Sequence, residues 1–405
     1  MAELKNVLRI VCEEDCCGCG ACISICPKEA LYYSQDTYGF IHPSLHENQC
    51  INCGKCLKTC PALVAIKQTP IKALAAISKS SNVVKSSSSG GVFYEVASYI
   101  IKNNGVVYGC IMDDSFQVKH TRVERIEELV PLMRSKYVQS DLNFIFRDIE
   151  KDLKNGLCVL FAGTPCQVSS LKNYVSTIKH SGRLYTIDIV CHGVPSQSFF
   201  NSYIDSLKSK EGEIDSFVFR AKRTVRNGMN WFYSFRRKGE RKENFRNWPS
   251  DSYAYYYMMS YLNRESCYHC KYSTKERVGD FTLCDFWHWE KYSFTFKYGS
   301  TVSGVFVNSK EAQELFQHIN QNFLYQETNV EHIVENNGCL KRPVKKPVDR
   351  NIILEKYSNG GFTEVDTYFC ANHKSQIKKE KLRMLVPQRL LNLMACIIAK
   401  AKKKI

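Results

Sequence analysis

The sequence predicts a small cysteine-rich α+β domain at the N-terminus, followed by a larger α/β domain with a mixed sheet. Two observations carry this prediction. Eight of the 20 cysteines lie in two evenly spaced runs before residue 62, and strand-like and helix-like segments alternate from about residue 74 to residue 320. With 44% hydrophobic and 24% charged residues among 405, the chain has the composition of a globular protein and not of a disordered one.

The two cysteine runs have the spacing of four-iron clusters. Each run places four cysteines as C-x2-C-x2-C-x3-C, with a proline directly after the last. This is the spacing of bacterial two-cluster ferredoxins, in which the fourth cysteine of each run binds the other cluster. We therefore expect a ferredoxin-like domain with two [4Fe–4S] clusters. The expected ligands are Cys16, Cys19, Cys22 and Cys60 for one cluster, and Cys50, Cys53, Cys56 and Cys26 for the other.

Zinc is the alternative for these cysteines. Two zinc sites would also use eight cysteines in C-x2-C pairs, but zinc does not require a third cysteine at the same spacing or a repeated Cys-Pro. Cys12 and Cys17 fall outside the pattern, and we expect both to be bystanders. The first residues lack the basic-then-apolar start of a secretory signal, so we expect a cytoplasmic location, where thiols remain reduced and can bind metal.

Residues 63–73 read as a linker into the α/β domain. Its predicted strands are 73–77, 105–111, 158–161, 184–190, 217–219, 281–285 and 301–307. Its predicted helices are 92–102, 142–154, 167–175, 198–208 and 311–320. We expect a ferredoxin-like domain over 1–65, the α/β domain over 72–340 in two parts (72–155 and 156–340), and a basic C-terminal extension over 341–405.

A serine- and glycine-rich segment precedes the helix predicted at 92–102. It contains Ser87, Ser88, Ser89, Gly90 and Gly91. Hydroxyls and glycine amides at a helix N-terminus are well suited to hold a phosphate. The alternative is a flexible linker, which the strand and helix on either side make less attractive.

Four more cysteines lie in segments with the character of a ligand site. Cys166 and Cys191 each follow a predicted strand, where α/β proteins place ligands, and Cys267 and Cys270 form a C-x2-C pair. Together they suggest a third [4Fe–4S] site. From spacing alone this suggestion is weak, because scattered single cysteines are more often small buried apolar residues.

Between residue 16 and about residue 310 the chain resembles the beta subunits of coenzyme F-420 hydrogenases and dehydrogenases. The resemblance rests on several motifs in one order: 86–91, 105–109, 135–140, 163–167, 188–195, 219–222, 267–270 and 279–287. It implies a flavoprotein oxidoreductase in which FAD lies beside a cluster on Cys166, Cys191, Cys267 and Cys270. It further implies FAD contacts with the 86–91 segment, Lys136, Thr164 and the His192–Gly193 turn.

Three side chains have two interpretations each. His192 could donate a proton to a substrate, or it could pack beside the third cluster or bond a cofactor phosphate, which we favour. Lys136 and Arg220 could pair with FAD phosphates or an acidic substrate, or form ordinary salt bridges. Lys222 is a further expected cofactor contact. The chain also departs from the family: Cys284 and His288 stand where glycine is usual.

The excess of basic residues does not identify a single binding partner. The formal charge is +16, which would suit an acidic redox partner, a phosphate-bearing cofactor, nucleic acid or an anionic membrane. The basic and aromatic residues of 222–248 fit a hairpin with one core face better than single-stranded nucleic acid. The tail from 378 to 404 alternates lysines with apolar residues, so a peripheral contact with the inner membrane face is a candidate.

Two hypotheses follow for the function. In the first, the protein is a flavin- and iron–sulfur-dependent oxidoreductase that couples one-electron transfer to hydride chemistry on a deazaflavin or another organic acceptor. In the second, it is an electron-transfer subunit without its own substrate, serving a partner such as a ferredoxin, a reductase or a hydrogenase subunit.

Overall fold

The computed structural model describes residues 6–222, 232–297 and 300–385. Its strands are β1 (Leu31–Gln35), β2 (Ile41–Leu45), β3 (Lys72–Ser78), β4 (Val106–Met112), β5 (Val118–Val123), β6 (Cys158–Gly163), β7 (Arg183–Ile189), β8 (Ile214–Val218), β9 (Phe232–Arg237), β10 (Glu243–Asn247), β11 (Phe281–Asp285), β12 (Ser303–Val307) and β13 (Phe323–Thr328). Its helices are α1 (Ala21–Ser24), α2 (Lys55–Thr59), α3 (Ser81–Ser86), α4 (Val92–Lys102), α5 (Ile145–Lys154), α6 (Pro165–Val175), α7 (Gln197–Glu211), α8 (Ser252–Met258), α9 (Lys310–Ile319), α10 (Val330–Glu335), α11 (Arg350–Asn372) and α12 (Lys374–Leu385).

The N-terminal domain consists of the β1–β2 hairpin and two short helices, each starting beside a cysteine run. Gly20 and Gly54 precede α1 and α2 with φ of 70° and 67°. This left-handed backbone is open to glycine at no steric cost. The glycines therefore let each run turn sharply around its cysteines.

The second domain is built on an eight-stranded mixed sheet in the order β13-β3-β12-β11-β7-β6-β4-β5. The central strands β4, β6, β7 and β11 are parallel, and antiparallel pairs flank them on both sides. Apolar side chains of α4 and α9 form one core with the sheet, and those of α5 and α6 form another. The predicted mixed-sheet α/β domain is confirmed.

A buried ion pair holds the loop before β11 against the end of β7. Arg277 and Asp188 are 2% and 0% exposed at their side chains, with 2.9 Å between Nη2 and Oδ1. The other Asp188 oxygen accepts from the backbone amides of Val278 and Gly279. A charge buried so deeply is tolerated only when it is paired and hydrogen-bonded, so this pair fixes the loop that follows Cys270.

A second, three-stranded antiparallel sheet, β10-β9-β8, packs on α7, α8 and α11. It contains the predicted hairpin: Tyr233 and Phe235 point into an aromatic core, while Arg236, Arg237 and Arg246 pair with acidic side chains. These pairings support the interpretation as a half-buried hairpin. Residues 223–231 of the basic segment lie outside the described residues.

The chain beyond residue 340 shows no clear periodicity in its sequence, yet it contains α11. Gly360 and Gly361 have non-helical dihedral angles inside this helix, which interrupts the apolar pattern. On either side of the interruption, Ile353, Leu354 and Phe362 are buried in the aromatic core. Most of the lysine-rich tail, residues 386–405, lies outside the described residues. Within the described part of the chain, no helix has the length and apolar character needed to cross a bilayer.

Candidate metal centres and cofactor site

The eight N-terminal cysteines line two separate cavities. The first cavity is lined by Cys16, Cys19, Cys22 and Cys60, and also by Cys12 and Cys17. The other is lined by Cys26, Cys50, Cys53 and Cys56. The structure thus groups the cysteines in the crossed arrangement expected from the sequence, with the last cysteine of each run beside the first three of the other.

These cavities suit an iron cluster. Burial, followed by the nearby Cys19, raises the pKa of Cys60 to about 12, and burial with the surrounding cysteines raises the pKa of Cys22. Buried thiolates that repel one another need positive charge among them, which iron supplies. The Gly18 amide also donates to the Cys16 sulfur at 3.4 Å, a contact of the kind that tunes cluster potentials.

A single metal ion finds no comparable set of ligands. Among residues 6–222, 232–297 and 300–385, no three His, Cys, Asp or Glu side chains converge as one ion requires. A [4Fe–4S] cluster distributes its four thiolates over different irons. Together with the repeated C-x2-C-x2-C-x3-C-P spacing, the grouping of four cysteines around each cavity favours a cluster over zinc.

A third cysteine group forms at the carboxyl ends of parallel strands. Cys166 begins α6 directly after β6, Cys191 follows β7, and Cys267 lies in the short 3-10 helix Glu265–His269, with Cys270 just after it. Burial, with Cys267, Cys166 and Cys270 as the charged neighbours, raises the pKa of Cys191 well above its ordinary value. The four cysteines are thus close enough to repel one another as thiolates, as in the N-terminal groups.

Two protein donors approach the third group. The amide of Gly193, which has a φ of 107°, donates to the Cys191 sulfur at 3.3 Å. The Thr164 hydroxyl lies 3.2 Å from the Cys166 sulfur, while Thr164 also caps α6. Both residues are expected FAD contacts, and the structure places them against the cysteines.

Cys17 connects the first and third groups. It packs in the same apolar cluster as Cys19 of the first group and Cys166 of the third. The neighbouring Cys17 thiol, opposed by burial, lowers the pKa of Cys166 to about 7. Sequence reasoning missed this residue because Cys17 belongs to no spacing pattern, and only the packing of the two domains brings it to Cys166.

His192 is held by protein groups at both ring nitrogens. Nε2 lies 3.1 Å from the Met258 carbonyl oxygen and 3.2 Å from the Ser260 hydroxyl, and Nδ1 lies 3.8 Å from the Cys339 sulfur. Burial lowers the pKa of this imidazole. These contacts favour the packing interpretation over a proton donor.

The serine- and glycine-rich segment lies beside a cluster of cations. The Ser88 hydroxyl is 3.2 Å from that of Ser135, and the Lys222 ammonium donates to the carbonyl oxygen of Ser89 at 3.0 Å. The Arg134 guanidinium donates to the carbonyl of Ser86. Ser87 and Gly90 bond other parts of the chain: Ser87 donates to Val83, and the Gly90 amide donates to Ser303.

Two cations of this cluster, Lys136 and Lys222, are half-buried against neutral oxygens. Lys136 donates to the carbonyls of Pro131 and Met133 at 2.7 Å, and Lys222 also donates to the Thr301 hydroxyl. Burial lowers the pKa of each lysine to about 8. An anion between them would offset that desolvation, so these residues fit a phosphate group.

Arg220 is paired within the protein, and this differs from Lys136 and Lys222. Its Nη1 lies 2.5 Å from Asp285 Oδ2, and its guanidinium lies over the Trp287 ring. The pair supports the salt-bridge interpretation for Arg220. Two acids, Asp285 and Glu243, lie near this cluster. Its four cations outnumber them and are Arg134, Lys136, Arg220 and Lys222.

Aromatic rings connect the cation cluster to the third cysteine group. Tyr137, next to Lys136, stacks on Tyr257 with 4.6 Å between ring centroids. The His192 ring meets Tyr257 edge-on at 5.5 Å. The expected FAD contacts therefore fall into two sets, one at the cations and one at the cysteines, joined by Tyr137 and Tyr257.

Cys284 and His288 occupy the positions where the family usually has glycine. The Cys284 sulfur donates to the Gly304 carbonyl oxygen at 3.5 Å, across the β11–β12 pair. His288 has a φ of 56°, a left-handed conformation that costs a side chain about 1–2 kcal/mol relative to glycine. Glycine adopts this backbone conformation without that cost, which explains why glycine is usual at this position.

Comparisons with known proteins agree with the motifs. Residues 157–332 match the family described as the C terminus of the coenzyme F420 hydrogenase/dehydrogenase beta subunit. Residues 15–64 match the 4Fe-4S dicluster domain, so the resemblance stated from the sequence and the N-terminal iron–sulfur domain are both confirmed.

A solved structure is also similar to this chain. It is a chain of the xenon-derivatised F420-reducing [NiFe] hydrogenase complex from Methanosarcina barkeri, with 13% identity and a TM-score of 0.44. The match covers 72% of this chain and 94% of that chain. No curated protein sequence matches this chain.

Proposed function

We propose that this protein is an iron–sulfur flavoprotein oxidoreductase with three [4Fe–4S] clusters and one FAD. The observation that supports it most is the meeting of Cys166, Cys191, Cys267 and Cys270 at the carboxyl ends of β6 and β7. Cysteines from three distant segments are brought together by the fold, beside an N-terminal domain that matches an iron–sulfur family. The third group would hold one cluster, and the two N-terminal groups one each.

The residues that would hold FAD are those of the cation cluster and the adjoining turns. Lys136 and Lys222 would bind its phosphates, with the 86–91 segment supplying hydroxyls and backbone amides. Thr164, His192 and Gly193 would contact the part nearest the third cysteine group. When bound, a flavin exchanges two electrons with an organic substrate and single electrons with iron–sulfur clusters.

The protein's own contribution is placement and exclusion of water. Tyr137, Tyr257 and Phe219 line an aromatic cavity next to Arg220, which would shield a planar ring system from solvent. His192 keeps both nitrogens engaged with protein groups, so we assign it a positioning role. The coenzyme F420 named in the family description, a deazaflavin, is the first substrate to test, followed by nicotinamides.

The second candidate function is an electron-transfer subunit without its own substrate. The matched family is described as a beta subunit, and Cys53 of the outer cysteine group is exposed, which favours exchange of electrons with a partner protein. Both functions use the same clusters. They differ in whether an organic molecule reacts at the flavin.

An assay with defined donors and acceptors tests the proposal. The anaerobically purified, flavin-loaded chain is reduced with a viologen dye and offered deazaflavin or nicotinamide. We expect reduction of one of them, lost in Cys267→Ser and retained in the control Cys12→Ser. A flavin-loaded chain that reduces neither acceptor, while exchanging electrons with a ferredoxin, would favour the second candidate. A cluster-bearing nucleic-acid protein would contain no flavin.

A further inference from the structure

Arg264 is a buried arginine at the contact between the two domains, with 2% of its surface exposed. Its backbone amide donates to the Val194 carbonyl oxygen at 2.9 Å, and its own carbonyl oxygen accepts from the Cys267 amide at 3.0 Å. Its side chain reaches the N-terminal domain, where Nη2 donates to the Ile41 carbonyl oxygen and the guanidinium lies 5.2 Å from the centre of the Phe40 ring. One residue therefore joins the segment of Cys267 to the β1–β2 hairpin.

The charge of Arg264 faces neutral groups. Nε donates to Gln139 Oε1 at 3.2 Å, and Nη1 lies 3.3 Å from His42 Nε2. In the part of the chain that the structure describes, no carboxylate forms an ion pair with Arg264; Asp36 lies 3.6 Å from His42 instead. Arg277, which is equally buried, does have a carboxylate partner. A buried cation without an anion is costly, so a negative group belongs beside Arg264.

The first cysteine group lies next to this cation. It consists of Cys16, Cys19, Cys22 and Cys60. A Cβ on Gly18 would lie 2.5 Å from Arg264 Nη2, so the guanidinium packs on the backbone between Cys16 and Cys19. His42, the neighbour of Nη1, lines the same cavity as these cysteines. The cation is thus placed where a cluster with four thiolates would bring negative charge.

We propose that Arg264 is a positioning residue whose buried charge balances the negative charge of the cluster in the first group. Arginine suits this role because its guanidinium keeps its charge when buried and holds its five donors in one plane. The inference rests on the proposed function for the cluster of the first group, and it requires neither the third cluster nor the flavin.

The physical basis is the effect of a fixed cation on a reduction. Reduction adds one electron to the cluster, so a nearby cation favours the reduced form and raises the potential. Burial strengthens the effect, because water and salt screen it little. The outer cysteine group lines a different cavity and serves as an internal reference. Its members are Cys26, Cys50, Cys53 and Cys56.

The test is a redox titration of the anaerobically purified full-length protein, followed by electron paramagnetic resonance, with iron quantified in each variant. Arg264→Gln removes the charge and keeps a polar side chain, whereas Arg264→Lys keeps the charge. The matched control is Arg147→Gln. Arg147 also reaches from the α/β domain to the N-terminal domain and donates to the Ser24 carbonyl oxygen at 3.0 Å, but it is paired with Glu29 and partly exposed.

We expect one N-terminal cluster to become harder to reduce in Arg264→Gln. Its reduction equilibrium should shift about tenfold toward the oxidised form, which is about 59 mV for one electron. Arg264→Lys should stay near the unmodified chain, Arg147→Gln should be unchanged, and the outer cluster should titrate alike in all. The same shift in the Cys267→Ser background, which lacks the third cluster, would assign it to the N-terminal domain.

A second variant keeps Arg264 and neutralises it. Gln139→Glu places a carboxylate at the acceptor of Nε and should lower the potential of the first cluster in the same direction. Gln139 also donates to the carbonyl oxygens of Cys17 and Gly18. The control Gln139→Met therefore removes the same hydrogen bonds without adding charge, and it should shift the potential less. This pair decides the matter if Arg264→Gln does not retain its iron.

Two outcomes would overturn the inference. One is an unchanged potential of the first cluster in Arg264→Gln, or in Gln139→Glu where Arg264→Gln loses iron. The other is a shift in Arg264→Lys as large as that in Arg264→Gln, which would make shape and not charge the determinant. An unmodified chain with only about eight irons would contradict the third cluster of the proposed function instead, a failure that is distinguishable because it precedes any substitution.

Discussion

The N-terminal cysteine groups and the third group differ in how the chain assembles them. The first two come from one short stretch, in which tight turns at Gly20 and Gly54 bring neighbouring cysteines together. The third needs β6, β7 and the loop before β11 to be in place before Cys166, Cys191 and Cys270 can meet. Local sequence spacing therefore specifies the N-terminal groups, whereas the long-range fold of the sheet specifies the third group.

The difference has a consequence for robustness. Damage to the central sheet should disperse the third group and leave the N-terminal groups intact, whereas loss of a crossing cysteine should disturb both N-terminal clusters at once.

The largest expected effect is the loss of clusters. Cys60→Ser should lose about eight irons per chain, because Cys60 crosses to the other run and ties both N-terminal clusters together. Cys267→Ser should lose only about four, since the third group stands apart. Iron and sulfide analysis of anaerobically purified protein measures this, with Cys284→Ser as a control that keeps all the iron. Equal losses of about four irons in the two variants would show that the two N-terminal clusters are held independently of each other.

The next effect concerns the buried ion pair behind the third group. Arg277→Met leaves Asp188 charged and unpaired in the interior, which should lower the free energy of unfolding by about 3–5 kcal/mol. Urea unfolding followed by circular dichroism measures it, and the variant should keep its N-terminal irons while losing those of the third group. The exposed Lys275→Met, which breaks only a surface pair with Glu331, should change stability by less than about 0.5 kcal/mol. A third cluster undisturbed in Arg277→Met would break the link between sheet and site.

A smaller effect is expected at the cation cluster of the α/β domain. Because burial holds the pKa of Lys222 and Lys136 at about 8, both lose their charge as the pH rises through 8. For each lysine that binds a phosphate, the FAD dissociation constant should rise by up to about tenfold per pH unit above 8. Without FAD, the free energy of unfolding should change with pH in the opposite direction to the FAD affinity. The unfolded chain binds more protons between pH 8 and about 10.4, so stability should rise there with pH.

Fluorescence titration of apo-protein with FAD measures the affinity at pH 7 and 9. Lys222→Met should bind FAD more weakly at pH 7 and show a flatter dependence on pH. The control Lys72→Met removes an exposed lysine paired with Glu327 and should behave like the unmodified chain. Unaltered affinity in Lys222→Met would mean that the phosphates bind elsewhere.

The smallest effect is expected at the contact between the two domains. The buried Tyr272 hydroxyl donates to the Pro61 carbonyl oxygen at 2.9 Å. Tyr272→Phe should cost about 1 kcal/mol, the usual net value of one hydrogen bond, measured as a shift in thermal unfolding. Tyr325→Phe on the exposed edge strand β13 is the matched control and should have no measurable effect. A larger loss in the control would argue against the interface as the sensitive region.

The grouping of the N-terminal cysteines and most of the sheet were predictable because their signals are local. Cluster spacing identified eight cysteines, and period-two and helical patterns identified strands such as β11 and helices such as α4 within a residue or two. The edge strands β5 and β13 were missed, since half-exposed strands carry a weak apolar pattern. Helix α11 was missed because Gly360 and Gly361 break its repeat.

The candidate site was predictable only where the resemblance supplied it. Spacing alone could not predict that four distant cysteines form one site, because their contact depends on strand order. These cysteines are Cys166, Cys191, Cys267 and Cys270. Cys17, Arg134 and Cys339 carry no motif, and their positions follow from how the domains, the cation cluster and the chain beyond residue 332 pack. Residues of this kind become visible only in three dimensions.

The most direct test of the account is the joint quantification of iron, sulfide and flavin in the anaerobically purified full chain. Three [4Fe–4S] clusters and one flavin predict about twelve irons, about twelve sulfides and one FAD per chain. About eight irons with no flavin would leave only the N-terminal domain as assigned. That result would contradict both the third cluster and the flavin site.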